Sequence, residues 1–579
     1  MPDSEKSSAV AARKIYPFVF WSIAALVFVA GAWLRFKLDT LPAATADTWG
    51  YLKPAIAALG GGEFETAWGR PYLYPAFLYL AIGILGDFRT ISVIQHLAGL
   101  AASGLLLAAL LRFRKTQSGF IPSALADAAF LCAMTVFLTS NWQADFEHSL
   151  MTEALQPALY ALILLCFVHV ATAFAEDKKQ ALFNWGTGLA SAGIFSVLYQ
   201  PRFALGTVLC AACGAAAVFK SGALRKNITR IIIPVLLALV FVWGIGRRLS
   251  RNDLIAKTMT ADVLFSAHLP PIKRALDAEA DKSPGAESGF YRQLSAQIAR
   301  DMEKIPASST IGYYPFYAQW HGSCRLIAEH FSRDAAKINA FELRWFARAI
   351  AREPGWYLAK VKNQLYHLYG WNREMLLPRP RIRRLAALPI TFVMRLGVNE
   401  RRSLQSSWFY GYRELVKPWW RDAQDDWWRG EWAQFEKSAL SPGPLNRYLS
   451  GIETSLIKNP YAGDRIIGGL WGGIFEKAPL FSSVWYVPAL LATLLMAGIV
   501  TWRKKWNREL AALAALSAFA HLCMLAVALF CAGIFVLEDL RYFLDAGVFI
   551  YTAHYAGLAF CACAALRFFR KFDGQPQSV

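Results

Sequence analysis

Charged residues are scarce in this sequence, and acids are the minority among them. Asp, Glu, Lys and Arg make up 18% of the 579 residues, and 61 Lys and Arg outnumber 41 acids. Soluble globular domains carry roughly 25% charged residues, whereas this chain is 56% hydrophobic. The composition excludes a string of soluble domains and predicts a polytopic membrane protein. Because much of the positive excess follows the predicted topology, no nucleic-acid partner is expected.

Cysteine is almost absent outside the apolar segments. Eight of the nine cysteines lie within predicted spans, and Cys324 alone lies in the large hydrophilic segment, which excludes a disulfide within that segment. Cys210 and Cys213 have CxxC spacing, but they lie inside an apolar helix without a second ligand pair. We interpret them as packing residues. Internal repeats are also lacking.

Long apolar runs are abundant. A bilayer core of about 30 Å requires roughly 20 apolar helical residues, and ten runs meet this need. The runs are Pro17–Phe36, Thr90–Leu111, Ile121–Thr139, Thr152–Ala173, Leu182–Tyr199, Phe203–Phe219, Ile231–Ile245, Ser482–Trp502, Leu510–Leu537 and Phe543–Leu566. The run Tyr72–Gly86 is shorter and contains Pro75, so we expect a helix at the outer membrane interface.

The distribution of Lys and Arg orients these spans. With the N-terminus inside, every predicted inner turn is basic, as the positive-inside bias requires. The residues concerned are Lys6, Arg13, Lys14, Arg112, Arg114, Lys115, Lys178, Lys179, Lys220, Arg225, Lys226, Arg503, Lys504, Lys505, Arg508, Arg567, Arg570 and Lys571. The first run is followed by no small-residue cleavage site, so we expect it to stay as an anchor. The predicted location is the inner (plasma) membrane, with both termini cytoplasmic.

Three segments follow from this topology: an N-terminal transmembrane module (1–245) with a first outer loop (37–89), an extracytoplasmic domain (246–480), and C-terminal transmembrane helices with a cytoplasmic tail (481–579). Helical spacing of apolar residues in the second segment predicts a mainly α domain. Its Arg-rich and Trp-rich stretches within 378–432 suit either a lipid interface or an aromatic core.

Unusual acids cluster in the first two outer turns. The first loop contains Asp39, Asp47, Tyr51 and Arg70, and Asp47 and Tyr51 share a face if a helix starts there. The alternative role of Asp47 is a helix N-cap. The second turn and the span after it contain Asp145, Glu147, His148 and Glu153. Glu153 lies deep enough to need a partner or a function, and a structural hydrogen-bond acceptor is its alternative role.

Arginines occupy later outer helix ends: Arg202, and Arg541 beside Tyr542. Acids and arginines at one membrane level indicate a reaction that deprotonates one group while an anionic phosphate is held. A sugar on a polyprenyl phosphate fits, because its phosphate is already a good leaving group and one carboxylate can serve as general base.

The segment ADTWGYLKPA, followed by RPYLYPAFLYL, resembles the first outer loop of the GT-C superfamily of membrane glycosyltransferases. This superfamily includes protein O-mannosyltransferases and the lipid A aminoarabinose transferase. HSLMTEAL resembles the stretch where many members place a Glu, and the turns with Arg202 and LRY resemble phosphate contacts. The chain departs from the protein mannosyltransferases in lacking an adjacent Asp-Glu pair in the first loop, and its soluble part is inserted between the seventh and eighth spans.

The resemblance implies an all-α fold of GT-C type, with about ten transmembrane helices, outer juxtamembrane helices and a helical outer domain. It implies a polyprenyl-phosphate sugar donor and a glycan, lipid or protein acceptor, with the active site on the outer face. Its implied catalytic residues are Asp47, Glu147, Asp145 and Glu153, with Asp47 as general base or acceptor positioner; the donor phosphate would be bound by Arg70, Arg202, Arg541 and Tyr542, and Asp39, Tyr51 and His148 would support the site. No cofactor or metal is required; Mg²⁺ or Mn²⁺ fits the acids but is not favoured, because arginines can neutralise the phosphate.

Two other functions remain open. A surface-polysaccharide polymerase or ligase with a pyrophosphate-linked donor would use Arg and His of outer loops, for which Arg325, His321 and His330 are the comparable cluster. A transporter would show charged or broken mid-membrane helices, and the candidates there are His169 and His521.

Overall fold

The computed structural model describes residues 2–36, 40–42, 47–117, 120–222, 236–237, 240–282, 285–304, 322–369, 433, 436–437, 443–458, 485–534 and 546–569. The regular secondary structure within these residues is helical, which confirms the all-α prediction. The first nine main helices are α1 (Pro2–Phe36), α2 (Thr48–Leu59), α3 (Leu73–Leu85), α4 (Arg89–Phe113), α5 (Phe120–Thr139), α6 (Asn141–His148), α7 (Gln156–Ala175), α8 (Lys179–Tyr199) and α9 (Ala204–Ser221). The later ones are α10 (Leu254–Ser266), α11 (Leu269–Ala280), α12 (Ala286–Lys304), α13 (Ser323–His330), α14 (Ala335–Arg352), α15 (Pro354–Leu368), α16 (Pro444–Lys458), α17 (Tyr486–Trp502), α18 (Arg508–Ile534) and α19 (Gly547–Phe569).

Eight helices of the described chain are long and apolar enough to cross a membrane, and they coincide with eight of the ten predicted spans. They are built on α1, α4, α5, α7, α8, α9, α18 and α19. These helices keep apolar side chains on their outward faces as well, including Phe18, Leu26 and Val208. Helices that are apolar all round belong in lipid, so the chain is a polytopic membrane protein.

Two of the ten predicted spans are not among these eight helices. The span predicted at Ser482–Trp502 contains α17, whose 17 residues make it one of the shorter apolar helices. Of the span predicted at Ile231–Ile245, residues 231–235 and 238–239 lie outside the described part, and Val240–Gly246 forms a π-helix.

Helix α3 is the apolar run that we expected at the interface. Its 13 residues extend for about 20 Å at 1.5 Å per residue, which is less than the ~30 Å of a bilayer core. It packs beside α2, and both helices contribute to a small core that also includes Tyr448 of α16. Tyr448 stacks on Phe88 at a centroid distance of 4.3 Å. The two short helices are thereby fixed against the bundle.

The membrane helices share one large apolar core, in which α8 packs on α9, α18 on α19, α4 on α7 and α5 on α19. A separate core joins α10 to α14 around the buried Trp345. Two of these helices, α10 and α14, begin at side-chain caps: Asp253 accepts from Ala256 N, and Asp334 accepts from Ala336 N. The described part of the predicted outer segment therefore contains a helical subdomain. The Arg-rich and Trp-rich stretches between 378 and 432 lie outside the described residues.

Replacing Gly186 with Ala should force α8 and α9 apart. A Cβ at Gly186 would lie 2.8 Å from Gly214 O and 2.9 Å from Ala217 Cβ, so we expect a loss of about 1–3 kcal/mol from overpacking. Gly188→Ala in the same helix is the matched control, because its nearest neighbour is Cys166 Sγ at 3.7 Å. Thermal unfolding in detergent measures both variants; equal midpoints would contradict the close approach of the two helices.

Candidate active site

Asp47, an acid of the predicted first outer loop, forms an ion pair with Arg70. Asp47 occupies the N-cap position of α2, but its side chain makes no capping hydrogen bond. Its Oδ1 instead accepts a hydrogen bond from Arg70 Nη2. The side chains are partly exposed, at 20% for Asp47 and 25% for Arg70. A carboxylate that is fixed by a guanidinium is therefore reachable from outside.

A line of contacts leads from this pair to a second, buried ion pair. The Arg70 guanidinium carbon lies 5.2 Å from the centroid of the Tyr51 ring, and the Tyr51 hydroxyl lies 3.4 Å from Thr152 Oγ1. Thr152 donates to Glu153 Oε2 at 3.1 Å. Glu153 Oε1 lies 3.4 Å from Arg202 Nη2, and each of these two side chains is only 4% exposed.

The bundle topology explains why Glu153 and Arg202 meet. Glu153 lies in the 3₁₀ turn Thr152–Ala154 before α7, and Arg202 lies in the turn Pro201–Phe203 before α9. Helix α8 lies between α7 and α9 in sequence and reverses the chain direction, so α7 and α9 start at the same end of the bundle. Both charges can be buried there because each neutralises the other.

The loop that carries Arg70 is fastened by Asp253, at the start of α10. Asp253 Oδ2 accepts from Gly69 N at 3.0 Å and from Thr66 Oγ1 at 3.3 Å. Gly69 has a positive φ of 68°, and a Cβ there would lie 2.4 Å from Met259 Cε. Only glycine combines this backbone conformation with such a close approach. The predicted extracytoplasmic segment thus helps to position the candidate site.

A second group of charges is enclosed around α6, in the segment that was predicted as the second outer turn. Arg35, at the end of α1, donates through Nε to Glu147 Oε2 at 2.5 Å and through Nη2 to Oε1 at 2.9 Å, and both side chains are fully buried. Arg35 Nη1 also donates to the carbonyls of Gly31 and Leu138 at 3.0 and 2.7 Å. Gln143 donates to Glu147 Oε1 at 2.9 Å. Bidentate geometry and further hydrogen bonds are what a buried ion pair needs.

Helix α4 completes this network. His96 Nδ1 lies 3.2 Å from Glu147 Oε2, and His96 Nε2 lies 3.2 Å from His148 Nδ1. Gly99, at the next turn of α4, leaves room for the carboxylate, since a Cβ there would lie 1.9 Å from Glu147 Oε1. The enclosed acid is therefore held from α1, α4 and α6 together.

Gln95 and Tyr74 connect the two groups. Gln95 Nε2 donates to the carbonyl oxygens of Glu147 and Ser149 at 2.8 and 2.9 Å, and Gln95 Oε1 accepts from the Tyr74 hydroxyl at 2.7 Å. The Tyr74 ring makes an edge contact with the Tyr51 ring at 5.2 Å. The position of Tyr51 thus depends on the enclosed network.

The pKa values of Tyr51 and Glu147 are shifted by different causes, which indicates different roles for the two residues. Burial raises the pKa of Tyr51 to about 12, although the nearby Arg70 charge opposes the shift. Tyr51 therefore remains a hydroxyl at neutral pH and can donate a hydrogen bond. Burial alone would raise the pKa of Glu147, but the Arg35 charge and the contact with His96 hold it below its ordinary value. Glu147 thus stays ionised within its network.

Five of the predicted site residues are brought together: Asp47, Tyr51, Arg70, Glu153 and Arg202. Glu147 and His148 belong instead to the enclosed network with Arg35 and His96. Asp145 lies in α6, and its side chain is outside the described part. Three further candidates lie outside the described residues: Asp39, Arg541 and Tyr542.

The sequence interpretation overlooked Arg35, His96 and Asp253. Arg35 carried a weak signal, because an arginine in the last turn of an apolar span either extends to the membrane interface or pairs with an acid. His96 offered less, since a single histidine in a span is compatible with many packing roles. Asp253 was not singled out, because nothing in the sequence linked it to Gly69, which is 184 positions away.

The residues that the alternative functions would use have other environments. His330 stacks on Phe290 at 3.7 Å, and Arg325 pairs with Glu329 four residues along α13. His321 lies outside the described residues. In the membrane helices, His169 stacks on Trp185 and His521 contacts the Tyr486 hydroxyl. These contacts are local packing interactions.

Comparison with known proteins adds little. No protein family and no curated protein matches the sequence. Among solved structures, one match is the crystal structure of ArnT from Cupriavidus metallidurans bound to undecaprenyl phosphate, with 13% identity over 94% of this chain and 77% of that chain and a TM-score of 0.29. A similarity with this TM-score does not support a functional assignment.

Replacing Glu147 with Gln should destabilise the protein strongly. The change keeps the shape but leaves Arg35 buried without a counter-charge, for which we expect a loss of about 3–5 kcal/mol. Glu176→Gln is the matched control, because Glu176 pairs with Arg112 at 3.0 Å at a site where both side chains are partly exposed; pairs of this kind contribute about 0–1 kcal/mol. Thermal unfolding in detergent compares the two, and similar losses would contradict the structural role of Glu147.

Proposed function

We propose that the protein is an inverting glycosyltransferase, which moves a sugar from a polyprenyl-phosphate donor to an extracytoplasmic glycan, lipid or protein acceptor. The observation that supports this proposal is the line of contacts from the partly exposed Asp47–Arg70 pair to the buried Glu153–Arg202 pair. Along this line of contacts lie the accessible carboxylate of Asp47 and the guanidinium groups of Arg70 and Arg202.

In the proposed reaction, the Asp47 carboxylate accepts the proton of an acceptor hydroxyl group. The hydroxyl oxygen forms the new bond to the anomeric carbon from the face opposite the phosphate, while the carbon–oxygen bond to the phosphate breaks. The leaving polyprenyl phosphate keeps the electron pair of that bond, so the anomeric configuration inverts. One general base suffices, because a phosphate leaves without an added proton.

Arg70 and Arg202 are the proposed contacts of the donor phosphate. A guanidinium has five N–H donors, so an arginine that pairs with a carboxylate can also bind a phosphate oxygen. Glu153 orients Arg202 in this proposal, and Tyr51 can donate its hydroxyl hydrogen bond to the departing phosphate. Glu147 is reassigned from catalysis to support, because it is fully buried and paired with Arg35.

A lipid donor also fits the surroundings of the pair. The short helices α2 and α3 lie next to Asp47 and Arg70 and keep apolar residues such as Leu80 and Ile84 exposed. A surface of this kind can contact prenyl chains or bilayer lipids. We place the reaction at the outer face of the inner membrane, on the basis of the positive-inside bias.

Asp47→Asn should abolish transfer without unfolding the protein. The amide keeps the size of the side chain but cannot accept the acceptor proton, and loss of a general base lowers the rate by roughly 10²–10⁴-fold. The assay offers purified protein a panel of short-chain prenyl-phosphate sugars with envelope lipid and glycan extracts, and measures released prenyl phosphate. Asp87→Asn is the control, because Asp87 is an exposed acid of the same loop and should keep full activity.

Arg202→Lys separates donor binding from proton transfer. We expect a higher KM for the donor with a smaller change in kcat, because the charge remains while the planar arrangement of guanidinium N–H donors is lost.

An active Asp47→Asn enzyme would refute the assignment of Asp47 as the general base. No release with any donor by folded wild-type protein would refute the donor class and favour a pyrophosphate-linked donor or transport.

A further inference from the structure

Three ionisable side chains, none of which belongs to the candidate active site, meet inside the helical subdomain. Asp262 comes from α10, Cys324 from α13 and Glu342 from α14. One ligand atom from each, namely two carboxylate oxygens and the sulfur, can be chosen so that all lie within 4.8 Å of one another. Two carboxylates and a thiol from three different helices thus converge on one point.

This point is buried in the apolar core around Trp345. Glu342 is 0% exposed, Cys324 3% and Asp262 7%. Neither carboxylate oxygen of Glu342 accepts a hydrogen bond of ordinary geometry from the described residues; its neighbours are the other two members of the cluster. Two buried carboxylates that face each other are unfavourable when ionised. The arrangement therefore requires a positive charge or a shared proton between them.

We propose that Asp262, Cys324 and Glu342 bind one Zn²⁺ ion, which holds α10, α13 and α14 together. A thiolate selects a soft or borderline metal such as zinc over magnesium or calcium, and zinc also accepts Asp and Glu oxygens as ligands. Ligand atoms around a tetrahedral zinc, at about 2.0–2.3 Å from the metal, lie roughly 3.3–3.8 Å apart. Starting from separations of at most 4.8 Å, the three atoms therefore need to approach by about 1.5 Å at most.

The surroundings of the cluster suit a metal site. Thr258 Oγ1 donates to Asp262 Oδ2 at 2.6 Å, which orients the carboxylate. The chain before Cys324 is fixed by Asp301 of α12, whose Oδ2 accepts from Ser323 N at 2.7 Å. Gly322 permits this contact, since a Cβ there would lie 2.2 Å from the same oxygen. Groups behind the ligands that hold them in place are a regular feature of metal sites.

A shared proton between Asp262 and Glu342 is the competing explanation, and the two explanations predict opposite effects of Glu342→Gln. With a shared proton, the amide removes a buried acid and keeps a hydrogen bond, so stability should be unchanged or higher. With zinc, the amide removes a ligand, so bound metal and the stability that it confers should both be lost.

The test measures zinc in full-length protein purified without added metal, by elemental analysis after exhaustive dialysis. We expect about one zinc per chain in the wild type, and background amounts in Glu342→Gln and Cys324→Ser. Cys213→Ser is the control, because it removes a cysteine of the membrane helix α9 and should retain the zinc.

A second readout does not depend on the folding of the variants. Wild-type protein stripped with a chelator should have a lower unfolding midpoint, which zinc restores with saturation at one equivalent. Co²⁺ added to stripped protein should give a thiolate-to-cobalt charge-transfer absorption, absent in Cys324→Ser. Wild-type protein that holds no zinc, ignores the chelator and shows no cobalt absorption would overturn the proposal, as would a Glu342→Gln variant more stable than the wild type in zinc.

Discussion

The buried ion pair between Arg35 and Glu147 is the interaction on which the arrangement of the candidate site depends. It joins the end of α1 to α6 and receives His96 from α4, so three helices are fixed relative to one another at one point. An isolated charge in this environment would be prohibitively costly, and the network satisfies both ions with bidentate geometry and additional hydrogen bonds. Glu153 lies shortly after α6, in the 3₁₀ turn Thr152–Ala154, so the network around Glu147 fixes the start of the segment that carries the second acid.

Glu147 and Glu153 show how two identical side chains can have different roles in different environments. Glu147 is enclosed and fully occupied by its partners, whereas Glu153 faces Arg202 and connects through Thr152 to Tyr51 and the accessible Asp47 pair. Only the second arrangement is linked to a surface that a substrate can reach. In the sequence analysis, both acids were expected to be catalytic.

Much of the fold follows from the sequence, because an apolar run of sufficient length has few stable alternatives in a bilayer. The eight long spans and the short α3 were predictable for this reason. The pairing of charges was not, since helical periodicity tells which face a residue occupies but not which distant residue meets it. Asp47 with Arg70, and Glu153 with Arg202, were proposed as members of one region; Arg35 with Glu147 required the packing of three helices. Cys324, which appeared isolated in the sequence, lies beside two acids for the same reason.

The anchor between Gly69 and Asp253 also constrains how the protein is made. The two residues are 184 positions apart, and a ribosome working at roughly 5–20 residues per second needs about 10–40 s to synthesise the intervening chain. By the end of that interval six of the long spans, α1 and the five between residues 89 and 221, can have entered the membrane, yet the loop with Arg70 still lacks its anchor to Asp253. Completion of the candidate site therefore waits for synthesis of the start of α10. A nascent chain arrested before residue 253 would contain most of the first membrane module without the anchor of the Arg70 loop.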